Sequence, residues 1–395
     1  MMVPKDLQRL SRSFISFLNY ALIVSSGLFI NTIAIFPSYS LELVRIGKQT
    51  PTGFSQVSGI TYSGAGNTYY GISDDSTPKF YTITIDLNGN VLNSVSKTAT
   101  TILKDSSGNA LSNIDAEGIA LSGSNIFVST EGNFTALNPV LYDQSTLTSP
   151  TNLFINRFNI STGNQDSSAG SVTSLRSRYT VEGSTTTGLR NNLAFESLTI
   201  SPDQTRLFSA VESSLKEDLP LSSLLGGSTP LLRLLQFDQS GSAYSSGAEY
   251  LYNAQPNYGL VDLLALNNNT LLALERNPNS LATSLFEISI GGATDISANS
   301  GLGGSTAGIT PVTKTAITFD IPLTNVTNYE GLTFGQILPD GRPTVVFVSD
   351  NNNTDATSTS FEVYAAVPFD FSPNLGLFGL GAIYAGNRLI KKLKK

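Results

Sequence analysis

Short apolar segments paired across tight turns are the dominant pattern along the chain. The clearest example lies at 328–353, where an apolar segment is followed by a Pro-Asp-Gly turn and then by a β-branched segment at 344–349. A turn of this kind between two apolar segments predicts a β-hairpin. Glu330 precedes the first segment and Asp350 follows the second. The predicted hairpin therefore carries an acid at each of its open ends.

The same order of residues recurs four more times. These copies begin at Ser58, Glu117, Glu196 and Asp262, and they end on Asp74, Glu131, Glu212 and Glu275. Two antiparallel strands place the start of the first and the end of the second at the same edge of a sheet. Both acids of every repeat are therefore expected to lie on one rim, next to a central channel.

A third apolar segment follows each hairpin, so each repeat holds three or four antiparallel strands. Repeats of three or four strands that pack side by side predict an all-β fold. The specific prediction is a β-propeller of four-stranded blades. We count five repeats; a sixth, more divergent blade between Glu131 and Glu196 is the alternative. The N-terminal strand at 41–46 is expected to complete the last blade. A β-sandwich fits the recurring acid-flanked hairpin less well.

Composition removes several classes of function. The chain of 395 residues has no Cys and no His, which excludes thiol nucleophiles, Ser-His-Asp triads and zinc sites built on those residues. Its net charge of −7 argues against nucleic acid as a partner, because phosphate backbones require a basic face. Any chemistry must use carboxylates, Lys, Arg, Tyr, Ser, Thr or a bound ion.

Both ends of the chain look like targeting segments. Residues 13–41 carry no charge and follow Lys5, Arg9 and Arg12, which predicts an export signal at 1–40, cleaved near Ser40. An uncleaved N-terminal anchor is the alternative. At the other end, the uncharged stretch 371–387 precedes a basic cluster that begins at Arg388, as in a sorting or membrane-anchor tail at 368–395.

The rim acids are the candidates for chemistry. Crowded carboxylates raise one another's pKa unless cations lie among them, and Arg276, Arg190, Lys216, Lys79 or a metal ion could serve. Oxygen-only ligands favour Ca²⁺. The candidate metal ligands are Asp74, Glu117, Glu196, Glu330 and Asp350. The candidate catalytic residues are Glu131, Glu212, Glu275 and Arg276.

Structural explanations compete with this one. The acids could cap strand ends, accept backbone N–H groups and pair with Arg276. A second oxygen-rich cluster, Asp350 with 351–353 and Asp355, could equally be a polar turn.

Several motifs resemble those of one family. The chain has DAEGIAL at 115–121, STEGN at 129–133, AFESLTISPD at 194–203, LLALERN at 271–277 and NYEGLTF with VFVSDNN at 328–352. In order and spacing these resemble the phytase-like domain of bacterial proteins described as having esterase-like activity of phytase, over about 44–367. The resemblance implies a propeller domain at 41–367 that is related to the alkaline β-propeller phytases, in which calcium ions bound by carboxylates hold a phosphate substrate. The tail resembles a PEP-CTERM-type sorting signal, although no Pro-Glu-Pro is present.

Two classes of function remain. The first is an exported or surface-anchored hydrolase of phosphate or carboxylic esters, metal-assisted at the acidic rim, with a small-molecule or polymeric ester as substrate. The second is a non-catalytic envelope propeller that binds a polymer or matrix component. Both place the protein in the periplasm, at the cell surface or outside the cell. In both, a processing protease acts on the tail, and membrane contact is limited to the terminal segments, including 371–390.

Overall fold

A computed structural model describes most of the predicted propeller domain. The described residues are 41–131, 153–166, 172, 175–179, 186–190, 193–220, 223, 226–319, 327–350 and 359–367. All of them belong to the second of the chain's two units, Tyr39–Lys395. The predicted export signal, the predicted tail and residues 351–355 lie outside the described residues.

The regular secondary structure of the described residues is almost entirely β-strand, which confirms the predicted all-β fold. The first strand is β1 (Glu42–Gln49). The first group holds β2 (Val57–Tyr62), β3 (Thr68–Ser73), β4 (Lys79–Asn88) and β5 (Val91–Ile102). The second holds β6 (Ala116–Ser122), β7 (Asn125–Thr130) and β8 (Ile155–Asn159), followed by a 3₁₀ turn at Ser177–Tyr179. Neighbouring strands in each group pair antiparallel in chain order.

The second half of the domain repeats this arrangement. The third group holds β9 (Phe195–Ile200), β10 (Arg206–Val211), β11 (Leu231–Ser240) and β12 (Ala243–Asn253). The fourth holds β13 (Gly259–Ala265), β14 (Thr270–Arg276), β15 (Thr283–Ser289) and β16 (Thr313–Phe319). The fifth holds β17 (Tyr329–Phe334), β18 (Thr344–Ser349) and β19 (Ser360–Ala366). Among the described residues the strands thus form five blades. Whether the whole chain has five or six blades stays a prediction.

Hydrophobic cores lie between neighbouring blades. Phe195 and Leu207 of the third blade, for example, pack with Phe127 and Ile155 of the second. Equivalent clusters join the third and fourth blades, the fourth and fifth, the fifth and first, and the first and second. Because each fully buried large apolar side chain contributes about 1.5–3 kcal/mol, these cores are the main source of stability.

Threonine side chains tie the inner strands to one another. Thr61 in β2 accepts the backbone N–H of Leu121 in β6 at 3.3 Å, and Thr333 in β17 accepts that of Tyr62 in β2 at 3.0 Å. Thr199 in β9 bonds in the same way to β13. An inner strand has an unpaired edge toward the centre of the ring, so these hydroxyl groups satisfy backbone groups that the sheets leave open.

The N-terminal strand closes the ring, which confirms that part of the prediction. Strand β1 pairs antiparallel with β19, with Leu43 opposite Ala366, and supplies the outer strand of the last blade. Glu362 of β19 is fully buried and anchors this seam: it pairs with Arg45 at 3.3 Å and with Lys48 at 2.9 Å. A short parallel pairing also joins β1 to β16, so the last two blades form one continuous sheet.

Candidate active site

A β-bulge interrupts every inner hairpin at the same place. In the fifth blade Tyr329 pairs with Ser349 and Gly331 with Val348, which leaves Glu330 as the extra residue. The corresponding bulged residues of the first to fourth blades are Ser58, Glu117, Glu196 and Val261. Bulges redirect side chains and are frequent beside functional sites. Three of these five positions carry a glutamate.

In each inner hairpin, the residue at the end of the second strand lies beside the bulge. These five residues form a second layer: Asp74, Glu131, Glu212, Arg276 and Asp350. The four acids share one backbone contact, since each donates its N–H to the carbonyl oxygen two residues before the bulge of its own blade, at 2.9–3.1 Å. This contact fixes each acid beside the bulged residue, so both layers lie at the same end of the inner strands.

Two groups of three carboxylates come together within these layers. Asp74, Asp115 and Glu117 place one oxygen each within 4.8 Å of one another. Glu131, Glu196 and Glu212 form a second group, whose oxygens also lie within 4.8 Å of one another. We call them the open triad and the buried triad, because Asp74 and Asp115 are partly exposed while all three residues of the second group are buried. Each triad joins residues from two neighbouring blades.

Among the described residues, Arg276 is the guanidinium that contacts both carboxylate layers. Its Nη1 donates to Asn328 Oδ1 at 2.6 Å and also contacts Glu330, and its Nη2 lies 3.5 Å from Glu212 Oε1. The carboxylates of Glu330 and Glu212 further raise the already high pKa of Arg276, against the opposing effect of burial. The guanidinium therefore stays charged between the third and fifth blades.

The positive charge of Arg276 does not balance the negative charge of the surrounding carboxylates. Burial and then the charge of Asp350 raise the pKa of Asp74 to about 9. Burial raises the pKa of Glu330 to about 7, although Arg276 acts in the opposite direction. The carboxyl pKa values of Glu117, Glu131 and Glu196 rise well above their ordinary range for the same reason, burial followed by neighbouring carboxylates. Without further cations this site must hold protons at neutral pH.

Glu275 and Asp262 do not lie in these layers, so placing them on the rim was wrong. Glu275 pairs with Leu260, which makes Arg276 the residue equivalent to Glu212 and Asp350. Glu275 instead accepts Tyr252 Oη at 2.6 Å and contacts Lys314. Successive residues of a strand point to opposite faces, so an offset of one residue turns the side chain away.

Asp262 stands one residue beyond the bulge of its blade, where the other blades have Gly59, Gly118, Ser197 and Gly331. Its carboxylate accepts the backbone N–H groups of Leu263 at 2.8 Å and Leu332 at 2.7 Å. It therefore links the inner strands of two blades and has a structural role.

Glycine allows the inner strands to approach closely in this layer. A Cβ atom on Gly118 would lie 2.6 Å from Leu198 Cβ, and one on Gly331 would lie 2.9 Å from Gly59 Cα. We call the layer of Gly59, Gly118, Ser197, Asp262 and Gly331 the constriction. The Glu-Gly pairs of the sequence thus combine two roles: the glutamate supplies the carboxylate layer and the glycine narrows the centre of the ring.

Asp115 is the site residue that sequence reasoning missed. It lies two residues before the bulge, at the position that Asn328 occupies in the fifth blade. The available signal was its spacing, because Asp115 and Glu117 are separated by one residue and alternate residues of a strand share a face.

The other proposed cations have separate environments. Lys79 pairs with Asp75, and Arg190 donates to the carbonyl oxygen of Ser214 at 2.8 Å. Burial, followed by the charge of Arg190, lowers the pKa of Lys216 to about 8.

A cavity of about 540 Å³ opens at the far end of the inner strands. Its deepest wall is formed by one aliphatic residue from each inner strand: Ile60, Ile119, Leu198, Leu263 and Leu332. The constriction separates this apolar cavity from the carboxylates. No helix among the described residues is long and apolar enough to cross a membrane.

Comparisons with known proteins identify the family of this chain. No curated protein sequence matches. One similar solved structure is that of a Mycobacterium tuberculosis puromycin-hydrolyzing peptidase, which aligns with 72% of this chain. Its sequence identity to this chain is 12% and the TM-score is 0.24. This chain covers only 33% of that peptidase. The family model Phytase-like, described as esterase-like activity of phytase, matches residues 52–353. This match contains both triads and Arg276, and the chain belongs to the phytase-like family.

Proposed function

We propose that the carboxylate end of the propeller is the active site of a cation-dependent hydrolase of phosphate or carboxylic esters. One observation carries the proposal: in each of two triads three carboxylate oxygens lie within 4.8 Å of one another, and among the described residues the guanidinium that contacts these layers is that of Arg276. Membership of the phytase-like family supports the hydrolase class. The crowded carboxylates must either hold protons or have an additional positive partner, and a bound cation as that partner would also attract the anionic group of a substrate.

The donors fit calcium. Ca²⁺ takes six to eight oxygen ligands at about 2.3–2.6 Å in flexible geometry, so three carboxylates can supply part of its coordination. Each triad brings one oxygen from each of three carboxylates within 4.8 Å of one another. Asp74 Oδ1 is buried with no hydrogen-bond partner among the described residues, so it has an oxygen to offer. Asp74, Asp115 and Glu117 would hold one ion, and Glu131, Glu196 and Glu212 a second.

Residues of the chain would carry out the other steps of the proposed reaction. A bound calcium ion supplies Lewis-acid polarisation of an ester or phosphoryl oxygen. Arg276 carries a fixed positive charge that can orient a second oxygen of an anionic substrate. Glu330, with a pKa near 7, can take a proton from water during attack and return it to the leaving alcohol oxygen. The ester bond breaks as the new bond to the water oxygen forms.

We place this enzyme outside the cytoplasm. The uncharged stretches at 13–41 and 371–387 support export and attachment through the terminal segments. A protease acting on the tail would release or transfer the protein. The substrate is then an ester available in the periplasm or outside the cell, either a small molecule or a polymer.

Hydrolysis and calcium binding test this function together. Purified protein is assayed on phytate, a simple phosphomonoester and a short acyl ester, each with calcium and with chelator. Glu196→Gln removes a triad carboxylate, and Glu287→Gln on β15 is the matched control outside the site. We expect calcium-dependent release that Glu196→Gln reduces at least about tenfold, as loss of one metal-ligand or supporting carboxylate commonly does.

Two outcomes contradict the proposal. Equal hydrolysis with calcium and with chelator would show that no cation takes part. Calcium binding by calorimetry without turnover of any substrate would favour the non-catalytic envelope propeller, with carboxylates that hold structural ions.

A further inference from the structure

The described domain begins and ends at the same edge of one blade. Leu43 near the start of β1 pairs with Ala366 at the end of β19, and Val367 donates its N–H to Glu42 at 3.0 Å. The first and last residues of the described domain therefore lie side by side.

This edge lies at the end of the propeller opposite the carboxylates. Strand β18 ends at Ser349, next to Asp350, and Ser349 pairs with Ser360 at the start of β19. From there β19 runs away from the carboxylates. Its last residue, Ala366, donates its N–H to Pro343, which lines the apolar cavity at the far end. At about 3.3 Å per residue, the length of β19 separates the two ends by about 20 Å.

The chain leaves the described domain at the cavity end. Seven residues, 368–374, stand between the domain and the apolar run LGLFGLGAIYAG at 375–386, which is followed by Arg388, Lys391, Lys392, Lys394 and Lys395. An extended chain reaches at most about 3.6 Å per residue, so the eight steps from 367 to 375 span at most about 29 Å. A membrane that takes up the apolar run therefore lies nearest the cavity end, because the connector would have to run extended along the whole length of the domain to bring the carboxylate end to it.

Exposed apolar side chains are concentrated at the cavity end. Among the described residues four large hydrophobic side chains are clearly exposed, and three of them lie there: Val44 near the start of β1, Val91 after the β4–β5 turn and Ile337 after β17. The turns that carry Val91 and Ile337 touch, because Asn90 Nδ2 donates to Asp340 Oδ2 at 2.6 Å. The fourth residue, Ile102, pairs with Lys79 at the carboxylate end.

We infer that the cavity end of the propeller, with Val44, Val91 and Ile337, rests on the lipid bilayer that holds the C-terminal tail, so that the carboxylate end points away from the membrane. This orientation rests on the membrane attachment proposed above but not on the proposed hydrolysis. The exposed aliphatic groups add to the attachment by burying their area in the interface. The active site then faces the compartment from which substrates arrive.

Single cysteines can report the orientation, because the chain has no cysteine of its own. Full-length protein carrying Val91→Cys, Ile337→Cys or Ile102→Cys is labelled with an environment-sensitive fluorophore and mixed with vesicles of phosphatidylcholine and phosphatidylglycerol that contain nitroxide lipid. Ile102 is the matched control, since it is 40% exposed compared with 47% for Ile337. Flotation confirms which protein is bound to vesicles.

We expect the protein to float with the vesicles and the probes at 91 and 337 to be quenched about twofold or more, while the probe at 102 is unchanged, because only interfacial residues reach the lipid nitroxides. Equal quenching at 102, or no quenching in floated protein, overturns the orientation and leaves attachment intact. Failure to float overturns the inference together with the attachment. If the fluorescence of the probe at 337 changes without vesicles, and this change grows with protein concentration, a second copy of the chain covers the cavity end instead of the bilayer.

Discussion

Arg276 and Glu212 occupy equivalent positions in neighbouring blades, and their side chains meet at 3.5 Å across the site. Each is the residue that stands next to the bulge in its own hairpin. Replacing an acid by an arginine at one of five equivalent positions places a fixed cation inside a carboxylate layer. The ring is therefore electrostatically asymmetric, with the open triad on the side away from Arg276.

Removing this cation should make folding depend more strongly on calcium. In Arg276→Gln, Glu212 and Glu330 lose their guanidinium partner, and a buried carboxylate without a partner costs about 3 kcal/mol or more. We expect a large loss of unfolding free energy in chelator and a smaller loss in calcium, measured by urea denaturation. Arg342→Gln, which removes only a surface pair with Asp340, is the control and should change little. Equal losses with and without calcium would disprove a shared electrostatic role.

Glu275 should prove structural. Its buried carboxylate accepts hydrogen bonds from Tyr252 and from the backbone and side chain of Gln255, so Glu275→Ala should lower the unfolding free energy by about 3 kcal/mol. Calcium affinity, measured by calorimetry on the variant at a temperature where it is folded, should stay within about twofold of the parent because the side chain lies outside both triads. A tenfold loss of calcium affinity would return Glu275 to the site.

Stability without divalent cations should fall as the pH rises. The folded-state pKa values of Glu330 and Asp74, about 7 and about 9, exceed those of the same groups in the unfolded chain. The native state therefore holds protons that the unfolded chain has already released, and the free energy of unfolding decreases between about pH 4 and pH 9. Thermal unfolding midpoints in chelator should show this decline.

Calcium should remove most of that dependence, because a cation takes over the role of the protons. The comparison needs only the same midpoints with calcium in place of chelator. A decline of the same size under both conditions would mean that these carboxylates do not bind the ion.

Gly118 should not tolerate a side chain. A Cβ atom there would lie 2.4 Å from Ser129 Oγ and 2.7 Å from the backbone nitrogen of Leu198, so the second and third blades would have to separate. We expect Gly118→Ala to cost about 1–3 kcal/mol in urea denaturation, the usual range for overpacking. Gly291→Ala, whose added Cβ meets nothing closer than Ser289 Oγ at 3.3 Å, is the control. Full stability of Gly118→Ala would contradict the close approach.

The repeated hairpin made the fold and much of the site predictable. Alternating apolar residues, turn residues and acids at the open ends were enough to place Asp74, Glu117, Glu131, Glu196, Glu212, Glu330 and Asp350 at one end of the propeller. The fourth repeat was misread because its acids, Asp262 and Glu275, mimic the pattern while lying one residue out of register. Only the pairing of β13 with β14 reveals this offset, since hydrogen-bond register is not encoded in residue type. Asp115 was missed because it precedes the predicted strand.

The constriction below the carboxylate layer also decides how material can move through the molecule. Neighbouring inner strands are too close for a methyl group at Gly59, Gly118 and Gly331, which makes the passage between the carboxylate end and the apolar cavity narrow. If the substrate of the proposed hydrolase enters and leaves at the carboxylate end, a long polymer can present only a terminus or a protruding branch there. Substrate and product would compete for one entrance, and release of product would limit turnover on crowded surfaces.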